Sequence, residues 1–233
     1  MYKQKLILMA NKTYVVGDIH GAYIPLKECL EKSSFNYNED TLVCLGDVCD
    51  RGPEVYECFE ELLRIKNLIY ILGNHDDFTL DWFLNKNRPD LWLMQGGTET
   101  IQSYRKRKIP ETHINLLKRS RLYYELDNYC FVHGGFFPDI DLNKQDKETF
   151  IWDRTLVDSV MDSDSSSNIT SFDKVFVGHT PTIKYGSSVP VSKGGLVLMD
   201  TGAGWPLGRL TIMDVRSGEF WQSRPIHEAY SRL

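Results

Sequence analysis

Long apolar runs are missing from this sequence. Hydrophobic residues make up 42% and charged residues 25% of its 233 positions, ordinary proportions for a globular chain. No stretch approaches the ~20 apolar residues of a membrane-spanning helix. Near the start only Leu6-Ile7-Leu8-Met9 is apolar, shorter than the roughly 7–15 residues of a secretory core. The expected location is therefore cytoplasmic, with no membrane partner. Positive charge is in short supply: 27 Lys and Arg stand against 32 Asp and Glu, a net charge of −5. Such a chain is not a general binder of nucleic acid, and any phosphate it handles must meet local positive charge or metal. Cysteine is sparse. Cys29, Cys44, Cys49, Cys58 and Cys130 form no C-x-x-C pair, which argues against a thiolate zinc site or a disulfide framework. Internal repeats and a domain-separating linker are also missing, so residues 1–233 read as one domain.

What is present is a regular alternation. Thr13 to Val16 reads as a strand, 22–32 as a helix, Thr41 to Leu45 as a strand, 54–65 as a helix and Leu68 to Leu72 as a strand. This β-α-β-α-β order predicts a parallel sheet with crossover helices. Residues 78–121 read as helical, with a turn at Gly96-Gly97. They carry Trp82, Trp92 and a basic run, Arg105 to Lys108, that reads as a solvated helix face. Tyr123 to Leu126 and Tyr129 to Val132 are spaced like a hairpin. Asp162 to Asn168 is a polar, serine-rich loop. Short strands are expected at 174–178, 187–191, 196–200, 208–215 and 219–222.

The informative polar residues follow the apolar runs. Gly17-Asp18-Ile19-His20-Gly21, Gly46-Asp47-Val48-Cys49-Asp50-Arg51-Gly52-Pro53 and Gly73-Asn74-His75-Asp76 end the first three strands. His133-Gly134-Gly135 and Gly178-His179-Thr180-Pro181 end two later ones. In open α/β sheets ligands bind beyond the carboxyl ends of the strands, so these loops should converge. They offer Asp18, His20, Asp47, Asn74, His133 and His179: carboxylate, amide and imidazole donors without a thiolate. That mixture suits Mn, Fe or Zn. Six donors exceed one tetrahedral ion and fit two ions clamping a displacement at phosphorus.

The ordered set GDIHG, GDVCDRGP, GNHD, HGG and GHTP resembles the calcineurin-like metallophosphoesterases. More narrowly it resembles the phosphoprotein phosphatases, in their short bacterial and phage-like form, over residues 14 to about 212. The resemblance implies an α/β/β/α sandwich, two mixed sheets flanked by helices. It implies two divalent metal ions, Mn2+ first, with Asp18 and His20 on one, Asp47 bridging, and Asn74, His133 and His179 on the other. Arg51 would hold the substrate phosphate, helped by Asn74 and by Arg154 of the Ile151-Trp152-Asp153-Arg154 element. His75 would be the general acid, paired with Asp50. The implied reaction is dephosphorylation of phosphoserine, phosphothreonine and phosphotyrosine in a phosphoprotein or phosphopeptide, by in-line attack of a metal-bridging hydroxide.

Two departures matter. The serine/threonine branch usually has GNHE, and here Asp76 is the fourth residue. Asp200-Thr201-Gly202-Ala203-Gly204-Trp205 stands in place of the eukaryotic Ser-Ala-Pro-Asn-Tyr element and resembles the bacterial members. A diadenosine tetraphosphate hydrolase or an RNA-end phosphoesterase would share every motif. It would be marked by a base-stacking pocket, with Trp82, Trp92 or Trp205 as candidate rings. A non-catalytic phosphopeptide-binding relative would have lost ligands or the acid, all of which are present. Cys49, inside the second loop, reads as a packing residue, with a redox-sensitive thiol as the sharper alternative.

Overall fold

Successive side chains of a strand point to opposite faces of its sheet, and here both faces are apolar. The computed structural model describes residues 11–165 and 167–231. The Leu6 to Met9 run and Ser166 of the polar loop lie outside the described residues. In β1 (Thr13–Val16), Tyr14 and Val16 join an apolar cluster with the helices, while Val15 joins a second cluster between two sheets. In β6 (Lys174–Val177), Val175 and Val177 face other helices and Phe176 faces the inter-sheet layer. This double burial is why the strands read as continuous apolar runs.

The first sheet has the order β10-β9-β1-β2-β3, adding β2 (Thr41–Cys44), β3 (Asn67–Tyr70), β9 (Thr211–Asp214) and β10 (Phe220–Gln222). Strands β1, β2 and β3 run parallel, and β9 is antiparallel to both of its neighbours, β1 and β10. The second sheet has the order β4-β5-β6-β8-β7, adding β4 (Tyr123–Leu126), β5 (Tyr129–Val132), β7 (Val191–Lys193) and β8 (Leu196–Leu198). Strands β5, β6 and β8 run parallel there. Phe131 and Phe176 stack between the sheets, with centroids 4.9 Å apart. Helices α1 (Tyr23–Lys32) and α2 (Val55–Leu63) pack on the first sheet. The result is two mixed sheets flanked by helices, the layering that the resemblance implies.

Several elements differ from the sequence reading. The 78–121 stretch is not one helical block. It starts earlier, with α3 (Asn74–Asn85), and breaks into α4 (Asp90–Trp92), a π-helical turn (Leu93–Gly97), α5 (Thr98–Ser103) and α6 (Glu111–Lys118). Residues Arg105 to Lys108 are exposed but lie in the turn after α5, not on a helix. Helices α7 (Lys147–Trp152) and α8 (Thr155–Met161) cover the second sheet. The sequence reading has no element there, because six or seven residues are too few for a helical period to stand out. Residues Thr182–Tyr185 form a 3-10 turn, so the strand expected at 187–191 begins only at Val191. A final short helix, α9 (Ile226–Ala229), follows β10. Among the described residues no helix is long and apolar enough to cross a membrane.

Candidate metal centre and phosphate site

Register brings the motif loops together. Val16, Cys44 and Tyr70 lie side by side in the first sheet, and Val132, Val177 and Leu198 in the second. Each motif begins within a few residues of these positions. The two sets of loops are tied across the sheets: the His179 amide donates to both oxygens of Asp18 at 3.1 Å, and His133 Nδ1 donates to the Leu45 carbonyl at 2.8 Å. Five site residues sit in left-handed backbone conformations: His20, Asp47, Asp50, Arg51 and His179, with φ between 47° and 71°. Such conformations cost of order 1–3 kcal/mol each and persist where the surroundings over-determine them. Here the Ile19 and His20 amides both donate to the Asp47 carbonyl, at 3.0 and 2.8 Å.

Asp47 is the hub. Its Oδ2 lies 3.3 Å from His133 Nε2 and 3.9 Å from His20 Nε2, and His20 Nε2 lies 4.0 Å from Asp18 Oδ2. Asn74 Oδ1 is 3.1 Å from His133 Nε2. Asp47 and His133 with His179 form one group of donor atoms within 4.8 Å of one another, and Asp47 with His20 and His75 forms another. The three expected imidazole ligands are preset. His20 Nδ1 donates to the Cys49 carbonyl at 2.8 Å, His133 Nδ1 to Leu45, and His179 Nε2 to the Trp152 carbonyl at 3.1 Å. A carbonyl only accepts, so on each ring the opposite nitrogen, the one facing the cluster, is left to bind a proton or a metal. Metal-binding histidines are oriented in this way. Burial opposes a proton on His133, yet Asp47 and Asp18 outweigh it and lift the pKa to about 9. Burial, with Asp200 and Asp47, raises the Asp18 carboxyl. These surroundings favour a cation, and the donor set fits a pair of divalent ions sharing Asp47.

Asp76 accounts for the departure in the third motif. Its carboxylate accepts from the amides of Asp47 at 2.8 Å, Val48 at 3.0 Å, Gly73 at 3.2 Å and Cys49 at 3.4 Å. It ties the second loop to the third.

His75 Nδ1 lies 2.6 Å from Asp50 Oδ2. Asp50 takes two further donors from the inserted helical segment: Trp92 Nε1 at 2.8 Å and Thr100 Oγ1 at 2.5 Å. Thr100 Oγ1 in turn accepts from the Asp50 amide at 2.8 Å. Burial works against a charged His75, but Asp47 and hydrogen-bonded Asp50 outweigh it and raise its pKa. Arg51 lies over Trp205, with its guanidinium carbon 4.7 Å from the ring centroid. Arg154 donates to the His179 carbonyl at 3.4 Å. All ten sequence-predicted site residues thus lie at one end of the sandwich.

Three residues were missed. Trp92 and Thr100 bind Asp50 from the 78–121 stretch, where the sequence reading offered Trp92 only as a candidate stacking ring and gave Thr100 no role. Asp200 was read only as part of a motif. It is buried close enough to Asp18 to raise that carboxyl, and burial lifts its own to about 6. The Asp200-Thr201-Gly202 run after a strand was the available signal for Asp200; for the other two there was none. Cys49 is fully buried, and burial pushes its thiol well up. It has the character of a packing residue rather than a reactive thiolate.

A symmetrical bis(5'-nucleosyl)-tetraphosphatase of Pseudomonas fluorescens is 30% identical over 176 residues, 72% of this chain and 59% of that protein. Serine/threonine-protein phosphatase 1 of Salmonella typhimurium is 40% identical over 84 residues, 36% of this chain and 38% of that protein. The match thus spans less than two thirds of the length of either relative. A solved structure provisionally named a diadenosine tetraphosphatase superposes with a TM-score of 0.66 at 19% identity, covering 92% of this chain and 94% of that one. That likeness concerns the fold alone. Residues 12–213 match the calcineurin-like phosphoesterases, and with its motif loops gathered at one end of a two-sheet sandwich, the chain belongs to that family.

Proposed function

We propose that the protein hydrolyses phosphoanhydrides of nucleotides, a bis(5'-nucleosyl) tetraphosphate being its substrate. The carrying observation is the extent of the match to the tetraphosphatase, which reaches across 72% of this chain against 36% for the serine/threonine phosphatase. That order reverses the sequence reading, which put phosphoproteins first. Phosphoprotein hydrolysis stays as the second reading, favoured by the higher identity of the shorter match.

Asp18 and His20 would hold one divalent ion and Asn74, His133 and His179 a second, with Asp47 available to both, Mn2+ being the first choice for this oxygen and nitrogen set. When bound, the ions polarise phosphoryl oxygens and make hydroxide available near neutral pH. Arg51 and Arg154 bind the non-reacting phosphate oxygens, a task suited to the planar guanidinium. His75 hands its proton to the departing oxygen. Asp50 keeps that imidazole charged and aimed, with Trp92 and Thr100 holding Asp50 in turn. Cleavage of the central anhydride adds the hydroxyl of water to one phosphorus and the proton to the leaving nucleoside diphosphate. A phosphate leaves more readily than an alkoxide, so anhydrides lean less on His75 than phosphoserine does.

The test is one assay at equal substrate concentration. Mn2+-loaded protein is given diadenosine tetraphosphate, a phosphoserine peptide and a phosphotyrosine peptide, and kcat/KM values are compared. The dinucleotide is expected to win, yielding adenosine diphosphate. A clear preference for either peptide overturns the nucleotide reading.

A further inference from the structure

Base recognition needs an open aromatic face near the phosphate site. Trp82 and Trp92 are 5% and 0% exposed and belong to the core, so they cannot supply one. Trp205 is 50% exposed and sits against Arg51. It borders a cleft of about 370 Å³ whose walls include Pro206, Ile226, His227 and Tyr230, with Arg51 at the edge nearest the metal loops. That volume falls in the roughly 300–1,000 Å³ range of small-ligand sites.

The cleft is built rather than incidental. Its far wall, α9, is pinned to the Trp205 loop by two backbone hydrogen bonds, Ile226 N to the Gly208 carbonyl at 3.0 Å and His227 N to the Pro206 carbonyl at 2.9 Å. The Tyr230 hydroxyl donates to Glu54 Oε2 at 2.7 Å, tying the chain end to the loop after Arg51. Gly204 keeps the approach close. A Cβ there would stand 2.6 Å from Arg51 Cδ and 2.8 Å from His20 Cδ2. The cleft, Arg51 and the metal loop are therefore contiguous. Its lining is mainly apolar and carries no carboxylate. A flat, uncharged group one linker away from a phosphate fits these walls, which describes the base of a nucleoside phosphate.

We infer that the cleft between Trp205 and α9 is a nucleobase site, in which a base stacks on the Trp205 indole while the adjoining phosphate lies on Arg51. The inference rests on the nucleotide reading above. Trp205 becomes the residue that separates nucleoside phosphates from other phosphate esters.

The experiment measures competitive inhibition of 4-nitrophenyl phosphate hydrolysis by adenosine 5'-monophosphate and by ribose 5-phosphate, on the metal-loaded protein. The two differ only in the base. In the wild type the nucleotide should bind roughly 5- to 150-fold tighter, the range of one base–aromatic stack. Trp205→Ala should bring that ratio close to one, and Trp205→Phe should keep most of it. Ribose 5-phosphate reads any loss that arises through Arg51. A wild-type ratio near one, or an unchanged ratio in Trp205→Ala, overturns the inference. So does an equal loss of affinity for a phosphoserine peptide, which would make the cleft a peptide surface. Failure of the nucleotide reading itself appears separately, as diadenosine tetraphosphate left intact by protein that still hydrolyses 4-nitrophenyl phosphate.

Discussion

Trp92 Nε1 donates to Asp50 Oδ2 at 2.8 Å across 42 residues of sequence. With Thr100 on the other oxygen, it makes α4 and α5, on either side of the π-helical turn, the holders of the Asp50–His75 pair.

Thr100→Val and Trp92→Phe should therefore loosen the proton donor without touching substrate. For an alkyl phosphate, whose leaving group needs the proton, kcat should fall by about 10-fold, a part of the ~10²–10⁴ that general acid catalysis supplies. For 2,4-dinitrophenyl phosphate, which needs no proton, kcat should hardly change. His75→Asn sets the ceiling of the effect and should retain metal by elemental analysis. Equal losses on both substrates would reduce Trp92 and Thr100 to packing residues.

Asp76→Asn places an amide donor among four backbone donors. Hydrogen bonds to a charged group are worth about 1.5–3 kcal/mol. A loss of that order in unfolding free energy is expected, together with metal content below the wild type. Denaturant unfolding and elemental analysis measure the two. Wild-type values in both would mean that the second loop holds its shape without the carboxylate.

Gly96 lies at φ 108°, and a Cβ there would stand 2.6 Å from the Arg51 nitrogen, whose amide donates to the Gly96 carbonyl at 3.1 Å. Gly96→Ala should push Arg51 aside and weaken inorganic phosphate as an inhibitor by about 10-fold, a bidentate phosphate contact being among the stronger polar interactions. Gly218→Ala is the control. It carries similar backbone strain, at φ 74°, with open space around it. It should lower stability and leave phosphate inhibition alone. If both variants behave alike, Gly96 matters for backbone strain only.

His113, in α6, is fully buried, with Nε2 donating to Glu60 Oε1 and Nδ1 accepting from the Tyr104 hydroxyl, both at 2.7 Å. The neutral ring uses both nitrogens. Burial pushes its pKa below the ordinary value, with Glu60 opposing. Below about pH 6.5 the unfolded chain takes up a proton here that the folded chain resists. Where the unfolded state binds more protons, stability rises with pH. The His113 contribution is thus complete above about pH 6.5 and is lost as pH falls toward the folded pKa. Melting temperature followed from roughly pH 7.5 to 5 should fall more steeply in the wild type than in His113→Gln. Parallel curves would remove His113 as the cause.

Much of the first sheet was legible in the sequence. Thr13–Val16 stands out as a strand because two-sided burial demands an unbroken apolar run, and the polar Gly-Asp that follows marks its end. The motif loops were legible for a related reason: parallel strands in register put every following loop at one end, so Asp18, Asp47 and Asn74 had to meet. Helices α7 and α8 were too short to show a period.

The sequence by itself determined the parallel β-α-β-α-β third and the motif loops that follow its strands, and through the resemblance those motifs carry, the two-sheet layering and the calcineurin-like family. The first two follow from apolar periodicity and short motifs, which a linear reading contains. Only the tertiary structure decided that Trp92 and Thr100 hold Asp50, that Asp200 joins Asp18, and that Trp205 rather than Trp82 or Trp92 is open beside Arg51. Each of these depends on a single side chain meeting a partner some 40 to 180 residues away. Such meetings are set by how the sheets and the inserted segment pack. No local periodicity encodes them, and burial of a tryptophan is a property of its distant neighbours.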